Sequence, residues 1–539
     1  MALSATEELS GTSLEDAPTP RPRLHTVLLL VVALTFLLRL ALAGLNSYWL
    51  DELYSVYLYA VQPDTLRVAI RDLADTSIHP PLYQAVLYVW VALFGDTEVA
   101  TRTLSNLYVT IGVVFTYGTA RYAFGQRTAD ATAIVLALAF GTMLFGLETR
   151  SYAQTLMLSA MSWAAFVLWL APRERTAPTV PWRGAFFFAA NLALLLTHYY
   201  NLFLWATQAI FAGLYLAATR RSGPRPTLPW VLGNYVAQLA AFVLIWGRVT
   251  YESLEAQREG YEVTVPERSP LAILNALVDH VYWFRVVPTT AIVVLGVGFV
   301  TWRFVRRWRS ISAERARELL GSGYLLATCL ITPVVAYLAF LLVQAERFNA
   351  RYYLYLVPLI AAAGVVAARE LVLLALARFD SPRRERMLVH LRRYAVPYAL
   401  VFAATVVVAG TLDATGREKD DWRGGAEKIV GIIKADPDNS YAVLETSWRS
   451  APMLNYYLDR KGGMAVDGVI LRSEERRGEF SFQDDPELLQ GHDRLIVPFI
   501  HHATVDFPEA VERLDDAFER HHTHLVNHRG LIIYRLPNG

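Results

Sequence analysis

The 539-residue chain is 54% hydrophobic and only 18% charged, a composition too apolar for an ordinary soluble enzyme of this size. Its formal net charge of +1 gives no indication of a nucleic-acid partner, so the distribution of charge is more informative than the total. The single cysteine, Cys329, excludes an intramolecular disulfide. We therefore expect a membrane protein.

Residues 1–22 are rich in Ser, Thr, Pro and acidic residues, which predicts a disordered tail. The segment 23–411 contains recurring apolar windows and predicts a polytopic α-helical protein with about eleven transmembrane helices. The windows are 26–45, 104–123, 129–147, 152–171, 184–200, 202–219, 229–247, 287–304, 322–343, 353–377 and 395–411. No convincing cleavage site follows the first window, so we expect it to remain as a helix rather than be removed as a signal peptide.

Basic residues predict the orientation of these helices. If the tail is cytoplasmic, the inner segments hold 23 Lys and Arg residues and the outer segments hold 10, which agrees with the positive-inside rule. The apolar stretch 80–94 is short for a span, and counting it would place the basic clusters 306–309 and 382–386 outside. We therefore expect it in the first outer loop, 45–103, in the membrane interface or partway into the bilayer.

Residues 412–539 have the pattern of a small soluble α/β domain. The sequence "GGAEKIVGIIKA" predicts an amphipathic helix, and "YAVLET", "RLIVPFI" and "GLIIYRL" predict buried strands. An odd number of spans precedes this domain, so we expect it outside the cytoplasm, on a multi-pass protein of the plasma (inner) membrane. The histidines of "HHTH" at 521–524, with His528, could suggest a metal site, but no Cys or carboxylate framework supports one.

An acidic pair, Asp51 and Glu52, lies within the apolar and aromatic run "SYWLDELYSVYLY" at 47–59. The structural interpretation is that both are first-turn acids favoured by a helix dipole, with Asn46 or Ser47 as N-cap. The functional interpretation is favoured, because a carboxylate beside so much apolar surface is costly unless it is used or paired. Arg39, near the outer end of the first span, either extends to the interface or acts as a counter-ion to this pair.

Further charged and aromatic residues gather on the predicted outer side. Several arginines above a membrane indicate an anion site, and phosphate is the anion whose geometry arginine matches best. A lone histidine is more often structural, and charges in a short turn can simply mark the interface. The candidates for a substrate pocket are Arg39, Arg102, Glu148, Tyr152, His198 and Tyr199, and those for phosphate are His79, Arg150 and Arg351, with Arg347 similarly placed.

Six motifs in order resemble a known family: "WLDELYSV", "HPPLYQAVLYVWVALFGDTEVATRTLSNL", "ETRSYAQTLML", "THYYNLFLW", "RYYLYLVP" and "DWRGGAEKI". They are similar to prokaryotic GT-C membrane glycosyltransferases of the dolichyl-phosphate-mannose protein mannosyltransferase (PMT-like) superfamily, which includes the lipid A aminoarabinose transferase. The likeness covers roughly residues 26–435, and no single motif would suffice.

The resemblance implies a GT-C fold and a sugar donor carried on a polyprenyl phosphate. It implies that Asp51 is the catalytic carboxylate, with Glu52 as its neighbour, and that the His-Pro-Pro stretch and Arg150 line the lipid-phosphate side. Some relatives have an acidic residue, associated with a metal, where this chain has Ile78. No cofactor is therefore assigned, and a divalent cation stays open.

The residues themselves provide the chemistry that such a transfer needs. Asp51 can act as general base for an acceptor hydroxyl, and Arg150 and Arg351, with His79, can stabilise charge on the departing phosphate. Direct displacement would invert the anomeric centre. The expected partners are the polyprenyl-phosphate sugar, membrane lipids, and a glycolipid, polysaccharide or protein acceptor, without nucleic acid. The alternatives are a polytopic transporter, which would place ionisable residues near the midplane, or a scaffold.

Overall fold

The computed structural model of this chain describes residues 21–76, 79–171, 182–218, 226–260, 295–296, 298–299, 313–343, 350–379, 382–390, 401, 404–405, 408, 421–443, 454, 456–458, 491–499, 512, 514–516, 518–526 and 529–536. The predicted tail, the spans 287–304 and 395–411, Ile78, Arg347 and His528 lie wholly or largely outside these residues.

The described chain is mostly helical. A π-helix covers Tyr54–Val61, and a 3-10 helix covers Ala350–Leu356. The α-helices are α1 (Arg21–Leu42), α2 (Leu50–Leu53), α3 (Leu66–Thr76), α4 (Leu82–Phe94), α5 (Glu98–Phe124), α6 (Gln126–Ala137), α7 (Phe140–Phe145), α8 (Ser151–Leu170), α9 (Trp182–Leu195), α10 (Asn201–Ala218), α11 (Leu228–Gly260), α12 (Ala313–Val343), α13 (Val357–Leu376) and α14 (Trp422–Ala435).

Within the described residues, five helical segments are long and apolar enough to cross a membrane. They are in α1, α8, α11, α12 and the segment Arg351–Leu376, while α4, α9 and α10 are apolar but shorter. Helix α4 has 13 residues, about 20 Å at 1.5 Å per residue, which is less than the hydrocarbon thickness of a bilayer. The total of about eleven spans stays a prediction.

The predicted span 129–147 is not one helix. Helix α6 ends at Ala137, and α7 begins at Phe140. The hydroxyl of Thr142 donates to the carbonyl of Leu136 at 2.8 Å, so it satisfies one of the acceptors that the end of α6 leaves open. Hydropathy does not detect this break, because the residues around it are apolar or small.

The chain divides into two compact units. The first, here called the helical unit, comprises Met1–Ala41, Ile70–Val86 and Arg102–Thr415. Its α8 is largely enclosed, with Trp163 and Phe166 fully buried.

A buried polar triangle joins three helices of this unit. Ser162 of α8 donates to Asn191 of α9 at 2.6 Å, Asn191 donates to Gln208 of α10 at 2.9 Å, and Gln208 donates back to Ser162 at 3.0 Å. Because each member has a partner, the triangle fixes the relative positions of these helices without leaving a costly unsatisfied group.

The second unit, here called the sheet unit, comprises Leu42–Ala69, Leu87–Thr101 and Gly416–Gly539. Its strands are β1 (Tyr441–Val443), β2 (Arg494–Phe499), β3 (Glu519–Val526) and β4 (Arg529–Arg535), and their order in the sheet is β1-β2-β4-β3. Strands β1 and β2 are parallel, and the other pairs are antiparallel.

Three of these strands lie where the sequence predicts them, whereas β3 was not predicted. It occupies an edge of the described sheet and contains His521, His522 and Thr523, which are exposed. The sheet unit also contains two segments of the predicted first outer loop, Leu42–Ala69 and Leu87–Thr101. The division at residue 412 stays a prediction, and the two loop segments are grouped with the C-terminal residues rather than with the helical unit.

Candidate active site

The acidic pair of the first outer loop lies on the short helix α2, whose N-cap is Trp49 rather than the predicted Asn46 or Ser47. Glu52 is fully buried, and its Oε2 accepts a hydrogen bond from the backbone N–H of Trp49 at 3.2 Å. A carboxylate at the third helical position that returns to the N-cap satisfies a donor left open by the helix. Glu52 is thus a first-turn acid, as in the structural interpretation, and it also caps the start of α2.

Asp51 differs from Glu52 in its exposure, because it is only partly buried. Its backbone carbonyl accepts a hydrogen bond from the hydroxyl of Ser55 at 3.1 Å, which joins α2 to the π-helix. Short π-helical segments are frequent at functional sites. Of the two predicted catalytic residues, Asp51 is the more exposed.

Two arginines and two histidines from distant parts of the sequence lie together in the helical unit. We call His79, Arg150, His198 and Arg351 the arginine–histidine cluster. An Nη atom of Arg150 lies 3.4 Å from Nε2 of His79, and the ring centroids of His79 and His198 are 5.2 Å apart. The guanidinium carbons of Arg150 and Arg351 each lie 6.0 Å from the centroid of the Tyr152 ring. The cluster brings three predicted phosphate residues next to two predicted pocket residues.

The ends of helices position this cluster. Arg150 is the N-cap of α8, and His198 lies in the turn between α9 and α10. The 3-10 helix before α13 supplies the second arginine. The backbone N–H of Leu82 donates to the carbonyl of Leu196 at 2.9 Å, which joins the segment of His79 to the end of α9. Each side chain is thus carried on a short irregular segment between well-packed helices.

Hydrogen bonds assign the tautomer of each neutral imidazole. Arg150 can only donate, so Nε2 of His79 accepts and the proton of neutral His79 lies on Nδ1. The backbone N–H of Tyr200 donates to Nδ1 of His198 at 3.3 Å, so the proton of neutral His198 lies on Nε2. This Nε2 is buried and has no hydrogen-bond partner among the described residues. It is therefore an N–H donor in need of an acceptor.

Burial and positive charge keep both histidines neutral. Burial, followed by the charges of Arg150 and Arg351, lowers the pKa of His198 to about 3. Burial also lowers the pKa of His79 well below its ordinary value, with further contributions from His198 and the two arginines. Near neutral pH the cluster presents cationic guanidinium groups beside neutral imidazoles, which suits an anion with several oxygens.

Two predicted pocket residues have structural contacts outside the cluster. Arg39 is 2% exposed, and its Nε donates to Oδ1 of Asn106 at 2.7 Å, so it joins α1 to α5 instead of extending to the interface. The hydroxyl of Tyr199 accepts a hydrogen bond from Nε1 of Trp246 on α11 at 3.2 Å, and burial raises its pKa.

Arg102 and Glu148, two further pocket candidates, are both buried. The backbone carbonyl of Glu148 accepts a hydrogen bond from the hydroxyl of Ser105 at 2.6 Å. This bond joins α5 to the turn that precedes Arg150. The backbone of Glu148 therefore helps to fix that turn.

Sequence reasoning missed Tyr352. Its ring centroid lies 5.2 Å from that of His198, and the guanidinium carbon of Arg351 lies 5.6 Å from it. The signal in the sequence is its position directly after Arg351 in the motif "RYYLYLVP". Tyr352 and Tyr152 provide aromatic surfaces beside the two arginines.

The residues of the cluster do not fit a divalent cation. Two guanidinium groups repel a metal ion, and within the part of the chain that the structure describes no group of three or more His, Cys, Asp or Glu side chains could hold one. Within the cluster, the groups suited to stabilise negative charge are the two arginines.

The sequence matches a known family over part of its length. Residues 78–246 match the family model described as dolichyl-phosphate-mannose-protein mannosyltransferase. The predicted resemblance is confirmed. The matched segment contains His79, Arg150 and His198, whereas Asp51 and Arg351 lie outside it. No curated protein matches the chain.

Solved structures extend the likeness to the fold. The chain is similar to ArnT from Cupriavidus metallidurans bound to undecaprenyl phosphate, with a TM-score of 0.56 and 12% identity over 94% of this chain and 97% of that one. For the apo state of ArnT from the same organism, the TM-score is 0.51 and the identity 14%, over 95% and 98% of the two chains. The likeness of fold thus extends over nearly the whole of both chains. Together with the apolar helices of the described residues, it indicates a multi-pass membrane protein.

Proposed function

We propose that this protein is an inverting glycosyltransferase, which moves a sugar from a polyprenyl-phosphate donor to an acceptor on the outer face of the plasma membrane. The observation that carries the proposal is the arginine–histidine cluster, where two guanidinium groups flank Tyr152 beside a buried, neutral His198. The family match, and a fold like that of an ArnT bound to undecaprenyl phosphate, support a lipid phosphate as the anion.

The charge change during transfer favours two arginines at the phosphate. The donor is a phosphodiester with one negative charge, and the lipid phosphate that departs is a monoester with up to two. As the bond between the anomeric carbon and the phosphate oxygen breaks, its electron pair moves to that oxygen. Arg150 and Arg351 therefore bind the transition state more strongly than the donor, which is the condition for accelerating the chemical step.

The acceptor provides the new bond. Its hydroxyl oxygen attacks the anomeric carbon from the face opposite the phosphate, and the hydroxyl proton moves to the carboxylate of Asp51. General-base assistance of this kind contributes typically about 10² to 10⁴ in rate. The attack from the opposite face inverts the anomeric centre. His198 donates its Nε2–H to a phosphate oxygen, and Glu52 holds the start of α2.

The direct test uses the purified full-length protein in lipid nanodiscs with a labelled polyprenyl-phosphate sugar and a cell-envelope extract as acceptor source. We expect the label to enter the extract, with equimolar release of polyprenyl phosphate and inversion at the anomeric carbon. The transporter alternative predicts another result. In proteoliposomes the labelled donor or sugar would cross the membrane without cleavage of the sugar-phosphate bond.

Cells provide a complementary measurement of the acceptor class. Mass spectrometry of lipid-linked sugars and surface glycans is compared between a deletion strain and a strain carrying Asp51→Asn. Both strains should accumulate the same donor and lack the same product. Unchanged glycans in both strains would contradict the proposal.

A further inference from the structure

The motif "DWRGGAEKI" at 421–429 has no role in the proposed chemistry, yet it builds a specific helix start. Oδ1 of Asp421 accepts a hydrogen bond from the backbone N–H of Gly424 at 3.0 Å, which caps α14. A side chain at Gly424 would collide with that carboxylate, so glycine permits the cap. The cap fixes the first turn of α14, and Arg423 lies in this turn.

Arg423 joins this turn to both first-loop segments of the sheet unit. Its Nη2 donates to the carbonyls of Gly44 at 3.3 Å and Leu45 at 3.1 Å, just before α2. Its Nη1 lies 3.5 Å from Oε1 of Glu98, at the start of α5. A planar guanidinium can bind these groups at once, which a single point charge cannot do.

Tyr457 makes a second connection to the same place. Its hydroxyl accepts the backbone N–H of Tyr48 at 2.9 Å and donates to Oε1 of Glu98 at 2.8 Å. Tyr457 is 3% exposed, so loss of its hydroxyl would leave a buried N–H and a carboxylate without this partner. Tyr48 is three residues before Asp51, so the bond holds the entry to the acidic helix.

Tyr456 shares a hydrogen-bond acceptor with Tyr48, before Asp51, and packs against Tyr57, after it. Its hydroxyl and that of Tyr48 both donate to the carbonyl of Asp96, each at 2.8 Å. Its ring centroid lies 5.6 Å from that of Tyr57, in the π-helix that follows α2. C-terminal side chains thus hold the chain before and after Asp51.

We propose that Tyr457 and Arg423 are positioning residues for the base, because they hold α2 in the orientation that Asp51 needs. The proposal rests on the proposed function, since it takes Asp51 as that base. Rates of a chemical step depend strongly on geometry, and a displacement of about 1 Å can cost about 10²-fold. The C-terminal residues are therefore part of the machinery of transfer.

The test compares Tyr457→Phe with the matched control Tyr441→Phe in the full-length protein. The hydroxyl of Tyr441 donates to Oδ2 of Asp436 at 2.8 Å, so the control removes a hydroxyl bond from the same region without touching the first loop. We expect Tyr457→Phe to lower kcat at least about tenfold with donor KM changed less than about twofold, and the control to keep both. Equal kinetics for the two variants would overturn the proposal.

A double-mutant cycle separates positioning from a general loss of structure. In the Asp51→Asn background, Tyr457→Phe should cause no further fall in kcat, because the base that it positions is absent. A multiplied loss would overturn the proposal. If Asp51→Asn alone keeps normal turnover, the base assignment of the proposed function fails as well, so the two failures are distinguishable.

Arg423→Lys gives an independent variant in case Tyr457→Phe does not fold. Lysine keeps the charge near Glu98 but loses the fork that binds two carbonyls. We expect a folded protein with normal binding of polyprenyl phosphate and a kcat reduced by roughly threefold to tenfold. A kcat equal to that of the wild type would contradict the positioning role.

Discussion

The arginines of the two units have different neighbours. In the sheet unit, Arg423 pairs with Glu98 and donates to backbone carbonyls. In the helical unit, Arg150 donates to a neutral histidine, and Arg150 and Arg351 lie near the ring of Tyr152. Carboxylate and carbonyl partners allow an arginine to hold chain segments together, whereas aromatic rings beside a guanidinium group provide cation–π contacts. Arg423 thus holds chain segments together, whereas Arg150 and Arg351 lie beside the aromatic and imidazole rings of the candidate site.

The largest expected effect is all-or-none. It tests whether the segment at Thr76 and the C-terminal residues around Lys428 both face the outside of the cell. In a Cys329→Ser background, Thr76→Cys and Lys428→Cys should react with an impermeant thiol reagent in intact cells, and Ser310→Cys should react only after the cells are opened. The positive-inside distribution is the physical reason. Labelling at position 310 in intact cells would reverse the orientation and remove the active-site assignment with it.

Asp51→Asn should lower kcat by at least about 10², because an amide cannot take the proton of the acceptor. Expression and donor binding should be retained. Glu52→Gln is the matched control, since its amide oxygen can still accept the N–H of Trp49, and its effect should be much smaller. A larger loss for Glu52→Gln than for Asp51→Asn would exchange the two roles.

Arg150→Ala and Arg351→Ala should each cost about 2 to 4 kcal/mol of transition-state stabilisation, by comparison with the loss of an oxyanion-hole donor. The fall should appear in kcat more than in donor KM, because the phosphate gains charge as the bond breaks. Lysine should restore only part of the activity. Wild-type kcat in both alanine variants would mean that these arginines are interface anchors.

His198→Phe should weaken binding of polyprenyl phosphate by roughly tenfold, because it removes one hydrogen bond to a charged group while keeping a ring. Between about pH 5 and 8 the affinities of the wild type and the variant should change in parallel, since the pKa of His198 is lowered to about 3 and only the ligand titrates in this range. Isothermal titration calorimetry with a short-chain polyprenyl phosphate measures both effects. Because the second ionisation of a phosphate monoester also lies at about pH 6, the pH profile is compared with that of His198→Phe. A transition present in the wild type and absent from the variant would contradict the neutral assignment.

The smallest effect concerns stability. The unfolded chain protonates His198 near pH 6.5, whereas the folded chain does so only near pH 3, so stability is lost as the pH falls below about 6.5. The slope should be at most about 1.4 kcal/mol per pH unit for this group. Denaturant unfolding of the wild type and His198→Phe between about pH 5 and 7.5 should show a shallower dependence in the variant, and parallel slopes would contradict it.

Hydropathy predicted most of the described helices because a bilayer requires long apolar segments with satisfied backbone groups. It failed at 129–147, where α6 ends at Ala137 and α7 begins at Phe140 although the residues around the break are apolar or small. It also missed β3, because an edge strand with exposed histidines lacks the alternation that marks a half-buried strand.

The sequence by itself determined a membrane-spanning chain, a resemblance to a family, and the residue types needed for an anion. These conclusions depend on composition, on the spacing of apolar residues along the chain and on short motifs. The tertiary structure decided which of those residues meet, because His79, Arg150, His198 and Arg351 converge only through the packing of helices between them. It also separated the buried cap Glu52 from the more exposed Asp51, since neighbouring carboxylates are alike in sequence and differ only in what surrounds them.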